Sequence, residues 1–308
     1  MIRIKTNLKQ WFQKKIRYIN SLFADYLIDR FSYTNRSEHL TNCALNSSEQ
    51  GISNEKYCDN EIIVSLTTYG TRLYEVYLAI ESIMQQSIKP NRIVLWLGDE
   101  MKNETIPQVL RNQQNRGLEI KYCKDIKSYK KLIPALTAFP SAAIITIDDD
   151  HLYHFDLIEN LINAHRKNPR MVYCAKMHRM KLLKNNELEK YAKWTAKYEF
   201  FDVSPLNFPT GVGGVLYPPN CFNEEVFNEK VFMDICAFAD DVWFKAMSLL
   251  NGVMAQRIFT HNKKDDEHLR NETAQYSSLS QINIDKQMND IQLRAVFDKY
   301  NLYEKLII

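Results

Sequence analysis

Three consecutive carboxylates, Asp148-Asp149-Asp150, follow directly on the apolar run Ala143–Ile147 (AIITI). Carboxylates a few ångströms apart repel, and each favours its protonated form unless a cation offsets them. Oxygen ligands are what Mg²⁺ and Mn²⁺ prefer, and such sites commonly share the ion with substrate phosphates. Asp148 and Asp150 are two residues apart, so in an extended segment both point into one pocket. A surface acidic turn is the competing reading, but such turns rarely follow a five-residue apolar strand. His151 and His154 lie in the same segment; either could touch a metal or phosphate, or be an ordinary loop histidine.

Further along, Gly211-Val212-Gly213-Gly214 offers backbone that can approach a sugar or turn tightly. Pro218-Pro219 follow soon after, and no helix follows clearly, so this is not a dinucleotide fingerprint. Ala239-Asp240-Asp241-Val242-Trp243 places two carboxylates at a helix start, where Asp also serves as a cap. Trp243 is either a sugar-stacking platform or a core residue.

The elements that must position these groups alternate. Ile62–Leu66, Arg92–Leu97, Leu118–Cys123, Ala143–Ile147 and Met171–Lys176 read as strands. Between them Leu73–Gln86, Ile106–Gln114, Ser128–Phe139 (kinked near Pro134) and Phe155–Lys167 read as helices. This order predicts a parallel sheet flanked by helices. The aspartate triplet then falls at a strand's carboxyl end, where loops diverge and leave a crevice for ligands. After an irregular stretch over 177–232, Ile235–Leu250 reads as a helix, Val253–Phe259 as a strand and Ile282–Tyr300 as a final helix.

The chain has 308 residues, 45% hydrophobic and 25% charged, enough for a sizeable core. The net charge of +3 is unevenly placed: residues 1–36 hold eight Lys/Arg against two Asp, and the remainder is net acidic. That argues against a nucleic-acid partner for the main body. Residues 6–30 carry apolar side chains at helical period with Lys9, Lys14 and Arg17 opposite. Such a helix suits an anionic membrane surface, or packing on its own domain or a partner. Residues 37–60, rich in Asn, Ser and Glu, read as a linker. Six cysteines without a C-x-x-C pair read as free thiols of a reducing compartment. No apolar run is long enough to span a bilayer. Together these point to a cytoplasmic protein with peripheral contact at the inner membrane face as an option.

Three stretches, IIVSLTTYGTR with the helix ending in QQSIKP, IITIDDDHLY, and ADDVWF, resemble the glycosyltransferases of the GT-A fold, in particular the bacterial family-2-like enzymes of surface-polysaccharide synthesis. The resemblance covers roughly residues 61–262 and implies an α/β, Rossmann-like, mostly parallel sheet. Residues 1–36 would then be a basic amphipathic extension and 263–308 a C-terminal loop and helix. It also implies a Mn²⁺- or Mg²⁺-dependent transfer of a hexose from a nucleoside-diphosphate sugar, UDP-linked, to a glycan or lipid-linked acceptor.

By position, Thr67, Thr68, Tyr69 and Arg72 would meet the nucleotide, with Lys131 or Lys130. Asp148 and Asp149 would lie on the nucleotide-sugar side, and Asp150 with Asp148 would bind the metal, His261 being a third ligand. Gly213, Gly214, Asp240 and Trp243 would face sugar or acceptor. Asp241 would be the general base, since a carboxylate within hydrogen-bond reach can take the proton of an otherwise poor hydroxyl nucleophile. Inverting relatives begin this acidic pair with Glu; here Asp240 is shorter. A nucleotidyltransferase shares the carboxylate pattern but calls for a Gly-rich basic loop after the first strand, where TTYGTR has one Gly. A non-catalytic sugar-nucleotide-binding scaffold is the third possibility.

Overall fold

The computed structural model describes residues 30–184, 187–194, 200–259 and 288–307, the backbone of 269–270, and positions 15, 24, 27 and 28. Most of the basic extension, and His261, lie outside the described residues.

Seven strands form one sheet: β1 (Ile62–Thr67), β2 (Arg92–Gly98), β3 (Leu118–Cys123), β4 (Ala143–Thr146), β6 (Val172–Cys174), β9 (Val215–Tyr217) and β10 (Ala255–Arg257). Their order is β10-β6-β9-β4-β1-β2-β3. The pairs β1–β2, β1–β4, β2–β3 and β6–β10 are parallel; β9 alone runs antiparallel, between β4 and β6. This is the helix-flanked, mostly parallel α/β sheet that the sequence predicts. Two short ladders lie outside it: β5 (His151–Leu152) with β11 (Leu269–Arg270), and β7 (Met177–Arg179) with β8 (Asn207–Pro209).

The central strands are buried on both faces, so they read as unbroken apolar runs. Alternation sorts their side chains into two cores. Ile63, Val94 and Ile144 face α4 (Ile133–Ala138), α6 (Glu229–Ile235), α7 (Asp240–Leu250) and α8 (Met288–Tyr300). Ile62, Val64, Leu66 and Ile145 face α2 (Tyr77–Met84), α3 (Gln108–Gln114) and α5 (Leu157–Lys167). The expected helix over Ser128–Phe139 divides into a 3-10 turn, Lys127–Lys131, and α4, with Pro134 in the first turn of α4, where a missing N–H costs nothing.

One local expectation is corrected. Part of the stretch expected to be a linker is helical, because residues 30–46 form a continuous helix, α1. Its polar composition hid a narrow apolar stripe. Tyr33 and Leu40 are seven apart and pack with Tyr77, Leu78 and Leu152, while Ala44, four further on, is also buried. The helix is anchored further by Arg116, which caps its end through the Cys43 carbonyl and forms a buried two-armed pair with Glu81 at 2.8 and 2.9 Å.

Lys245, on the inner side of α7, is 3% exposed and its ammonium has no hydrogen-bond partner among the described residues. Burial pushes its pKa down to about 7, with only a small opposing effect from Cys174. In the unfolded chain the amine titrates near about 10.4. Between these values the unfolded state binds more protons, so this group's cost to stability is full below about pH 7 and fades as pH rises. Lys245→Met is therefore expected to melt higher than the wild type at pH 7, by roughly 1–3 kcal/mol. The gap should shrink toward pH 10, and thermal melts of both proteins at the two pH values check it.

Candidate active site

The carboxyl ends of β1 and β4 lie side by side, with Ser65 opposite Thr146. The Ile147 N–H still donates to the Ser65 carbonyl at 3.2 Å, and then the chain leaves the sheet. The aspartate triplet occupies that departure. Its three side chains go three ways.

Asp149 turns inward. Its Oδ2 accepts from Thr68 Oγ1 at 2.6 Å and its Oδ1 from Arg72 Nη1 at 2.7 Å. Burial pushes its carboxyl up to about 6; Arg72 opposes this and Asp150 adds to it. Thr68 is buried as well. These two residues brace the turn from inside. Thr67 is likewise committed, its hydroxyl donating to the Trp96 carbonyl at 2.8 Å. Tyr69 remains open to solvent beside Arg72, whose guanidinium carbon lies 5.5 Å from the ring centroid.

Asp150 and Asp148 stay with the crevice. Asp150 Oδ2 lies 3.3 Å from Arg72 Nη2, and its Oδ1 is 2.5 Å from His151 Nδ1. One ligand atom each from Asp148, Asp150 and His151 fall within 4.8 Å of one another. Two carboxylate oxygens and one imidazole nitrogen suit Mn²⁺ well and Mg²⁺ adequately. His151 is buried in this cluster, not set in solvent as a loop histidine, whereas His154 turns away to pair with Asp156 at 2.6 Å.

Lys131 is the bridge. Its Nζ is 3.0 Å from both Asp148 Oδ1 and Asp240 Oδ2. Burial works against its charge, yet Asp148, Asp240 and Asp241 outweigh this and hold its pKa well above the ordinary lysine value. Its backbone is fixed too: the Ser65 hydroxyl donates to the Lys131 carbonyl at 2.6 Å, and Trp96 Nε1 donates to that hydroxyl at 3.0 Å. Lys130, the alternative, reaches instead to Asp125.

On the far side of the crevice α7 begins. Ser128 donates to Asp240 Oδ1 at 3.0 Å. Both oxygens of Asp241 accept from the Gly211 N–H, at 3.1 and 3.0 Å. Burial, then the charge of Asp240, push the Asp241 carboxyl up to about 7 against the pull of Lys131. Gly211 permits this contact because a Cβ there would lie 2.7 Å from Lys131 Nζ and 3.0 Å from Asp241 Oδ1.

The other glycines do different work. Gly213 packs on the Lys176 backbone and Gly214, with φ +87°, on Leu157; both are buried. Trp243 is fully buried, its Nε1 donating to the Val226 carbonyl at 3.1 Å.

Tyr153 was invisible in the sequence. Its hydroxyl accepts from the Asp148 N–H at 2.8 Å and donates to the Val212 carbonyl at 3.2 Å. It thereby joins the aspartate turn to the glycine turn.

No protein-family model matches the chain, and no curated protein matches it. Solved structures with a similar course of chain include S. aureus TarS 1–349 in complex with UDP, at 12% identity and TM-score 0.44, covering 66% of this chain and 58% of that one. A mannosyltransferase from Pyrobaculum calidifontis in complex with GDP-mannose and Mn²⁺ aligns at 13% identity and TM-score 0.43, over 80% and 68% of the two chains. The inositol-1-phosphate CTP transferase of T. maritima aligns at 12% and 0.38, over 73% and 96%. The present chain thus spans little more than half of the TarS fragment.

Tyr153→Phe keeps the ring and removes the hydroxyl, leaving the Asp148 N–H and the Val212 carbonyl unpaired. It is expected to cost about 1–3 kcal/mol in urea unfolding. Mn²⁺ affinity, measured by calorimetric titration with UDP present, is expected to fall about tenfold because the turn that holds Asp148 loosens.

Proposed function

We propose that this chain is a GT-A-type, metal-dependent glycosyltransferase. It moves a hexose from a nucleoside-diphosphate sugar, UDP-linked, to a hydroxyl of a glycan or lipid-linked acceptor, with inversion, in surface-polysaccharide synthesis. The observation that carries this reading is a single cluster in which two acidic groups of different character meet at one lysine. Asp148, Asp150 and His151 form a hard-ligand cluster, and Asp241 faces it across Lys131.

Placement supports the following assignment of roles. Asp148, Asp150 and His151 would hold Mn²⁺ or Mg²⁺, and His261, outside the described residues, keeps its proposed place as a further ligand. When bound, the ion supplies Lewis-acid stabilisation of the departing diphosphate. Tyr69, exposed at the end of β1 with Arg72 alongside, offers a flat face for a base. Asp241, titrating near neutrality, takes the acceptor's hydroxyl proton while that oxygen bonds to the anomeric carbon. The bond from that carbon to the diphosphate oxygen breaks, and attack from the opposite side inverts the configuration. Lys131 keeps Asp148 and Asp240 from repelling each other throughout.

The acceptor is proposed to meet the enzyme at a membrane surface. No helix among the described residues is long and apolar enough to cross a bilayer. At Leu27 and Ile28, just before α1, and at Phe31 within it, the side chains are 46%, 62% and 72% exposed, next to a segment rich in Lys and Arg. Apolar side chains beside cationic ones favour an anionic interface.

Two experiments test these readings. With a UDP-sugar and Mn²⁺, the wild type is expected to release nucleoside diphosphate; release of pyrophosphate would mark a nucleotidyltransferase instead. Asp150→Asn is expected to lower turnover by at least a hundredfold, and unchanged turnover would remove the metal assignment. In flotation with phosphatidylserine-containing vesicles, the full chain is expected to float, less so at high salt. The double variant Ile28→Asp/Phe31→Asp is expected to remain in the bottom fraction.

A further inference from the structure

The antiparallel pair of β7 and β8 leads into the site. His178 on β7 pairs opposite Phe208 on β8. Three residues after Phe208, the Gly211 N–H holds the Asp241 carboxylate. Tyr191 opens a 3-10 turn, Tyr191–Lys193, in the segment that connects the two strands. Its ring meets His178 at 5.5 Å, Trp194 at 4.8 Å and Phe208 edge-on at 5.9 Å. Trp194 and Phe208 are buried, while His178 and Tyr191 are partly buried at the outer end of the stack. The turn is fixed from behind, because the Tyr191 N–H donates to Asp290 Oδ1 on α8 at 2.7 Å.

Two polar groups end on this wall. Among the described residues neither the Tyr191 phenol nor the His178 imidazole has a hydrogen-bond partner. Burial, and then the charge of Asp241, hold the Tyr191 phenol above its ordinary value. Burial, reinforced by Lys176, pushes the His178 imidazole down to about 4, so it is neutral under ordinary conditions. A neutral imidazole and a phenol can each donate and accept a hydrogen bond. A saccharide presents hydroxyls that do the same, on a ring whose C–H face packs against aromatic carbon. Pockets that orient such ligands combine aromatic walls with a few placed polar groups.

We infer that His178 and Tyr191 form the acceptor subsite of this enzyme, binding the saccharide unit whose hydroxyl is presented to Asp241. This rests on the glycosyltransferase reading above and adds the acceptor class to it: a sugar ring, bound through its hydroxyls and one apolar face. Trp194 and Phe208 support the wall from beneath.

The test measures binding of defined probes: the methyl α- and β-pyranosides of glucose, galactose, mannose and N-acetylglucosamine. They are titrated by saturation-transfer NMR against the full chain with UDP and Mn²⁺ present. At least one glycoside is expected to bind the wild type, and Tyr191→Phe and His178→Gln are each expected to raise its Kd about fivefold. Near-UV circular dichroism identifies a variant that fails to fold. Tyr191→Phe, which keeps the ring stack, decides the matter by itself if His178→Gln does fail. The inference is overturned if no glycoside binds the wild type, or if the variants bind as tightly as the wild type does. Calorimetry of UDP with Mn²⁺ on the wild type tests the donor site separately. UDP binding without glycoside binding removes only the subsite; glycoside binding without UDP binding removes the donor reading and leaves the subsite in place.

Discussion

The structure around the crevice depends on one electrostatic imbalance. Asp148, Asp149, Asp150, Asp240 and Asp241 converge on two cationic side chains, Arg72 and Lys131. Like charges this close inside a protein cannot all remain ionised without compensation. The molecule answers locally in three ways. Arg72 and Thr68 neutralise and hold Asp149; Lys131 stands between Asp148 and Asp240; the Gly211 N–H supports Asp241. The raised carboxyls of Asp149 and Asp241, at about 6 and about 7, show that this compensation is incomplete. Asp148, Asp150 and His151 bring one ligand atom each within 4.8 Å of one another at the outer side of this cluster.

The fold exists to hold this unfavourable cluster still. Buried on both faces, β1 and β4 set the two loops side by side, and the Ser65–Trp96 pair fixes the backbone of Lys131 from within the sheet. The antiparallel β9 is part of the same task. It enters between β4 and β6 and is preceded by the glycine turn, so the turn is delivered beside the aspartates and not at a distant sheet edge. Tyr153 then joins the two turns. A site made of repelling groups needs more cross-bracing than one made of attracting groups, and most of the hydrogen bonds here serve that end.

What was legible in the sequence follows from how local each signal is. The parallel strands were readable because burial on both faces leaves continuous apolar runs, as in RIVLWL and AIITI. The aspartate triplet was readable because its position after such a run has few innocent explanations. The direction of each side chain was not readable: nothing in D-D-D says that Asp149 turns inward to Arg72 while its neighbours do not. Trp243 was ambiguous for the same reason, since one residue of an amphipathic helix belongs to the face that packs or to the face that binds. Gly213 and Gly214 attracted notice as a pair, yet Gly211 makes the contact that matters. Helix α1 was missed because its apolar stripe is only three or four residues wide, and a linker and a mostly exposed helix share a composition.

Lys131 shows why the two acidic segments form one site and not two. A lysine buried without partners loses its proton, as Lys245 illustrates one turn beyond Asp241 on the same helix. Lys131 is equally enclosed and yet holds its proton more tightly than a lysine in water. The difference is the carboxylates on either side of it, Asp148 from the strand end and Asp240 from the helix start. Removing either would leave its charge half compensated in a buried position, and removing Lys131 would leave the two aspartates facing each other. The stability of the aspartate turn and that of the helix start are therefore coupled through Lys131.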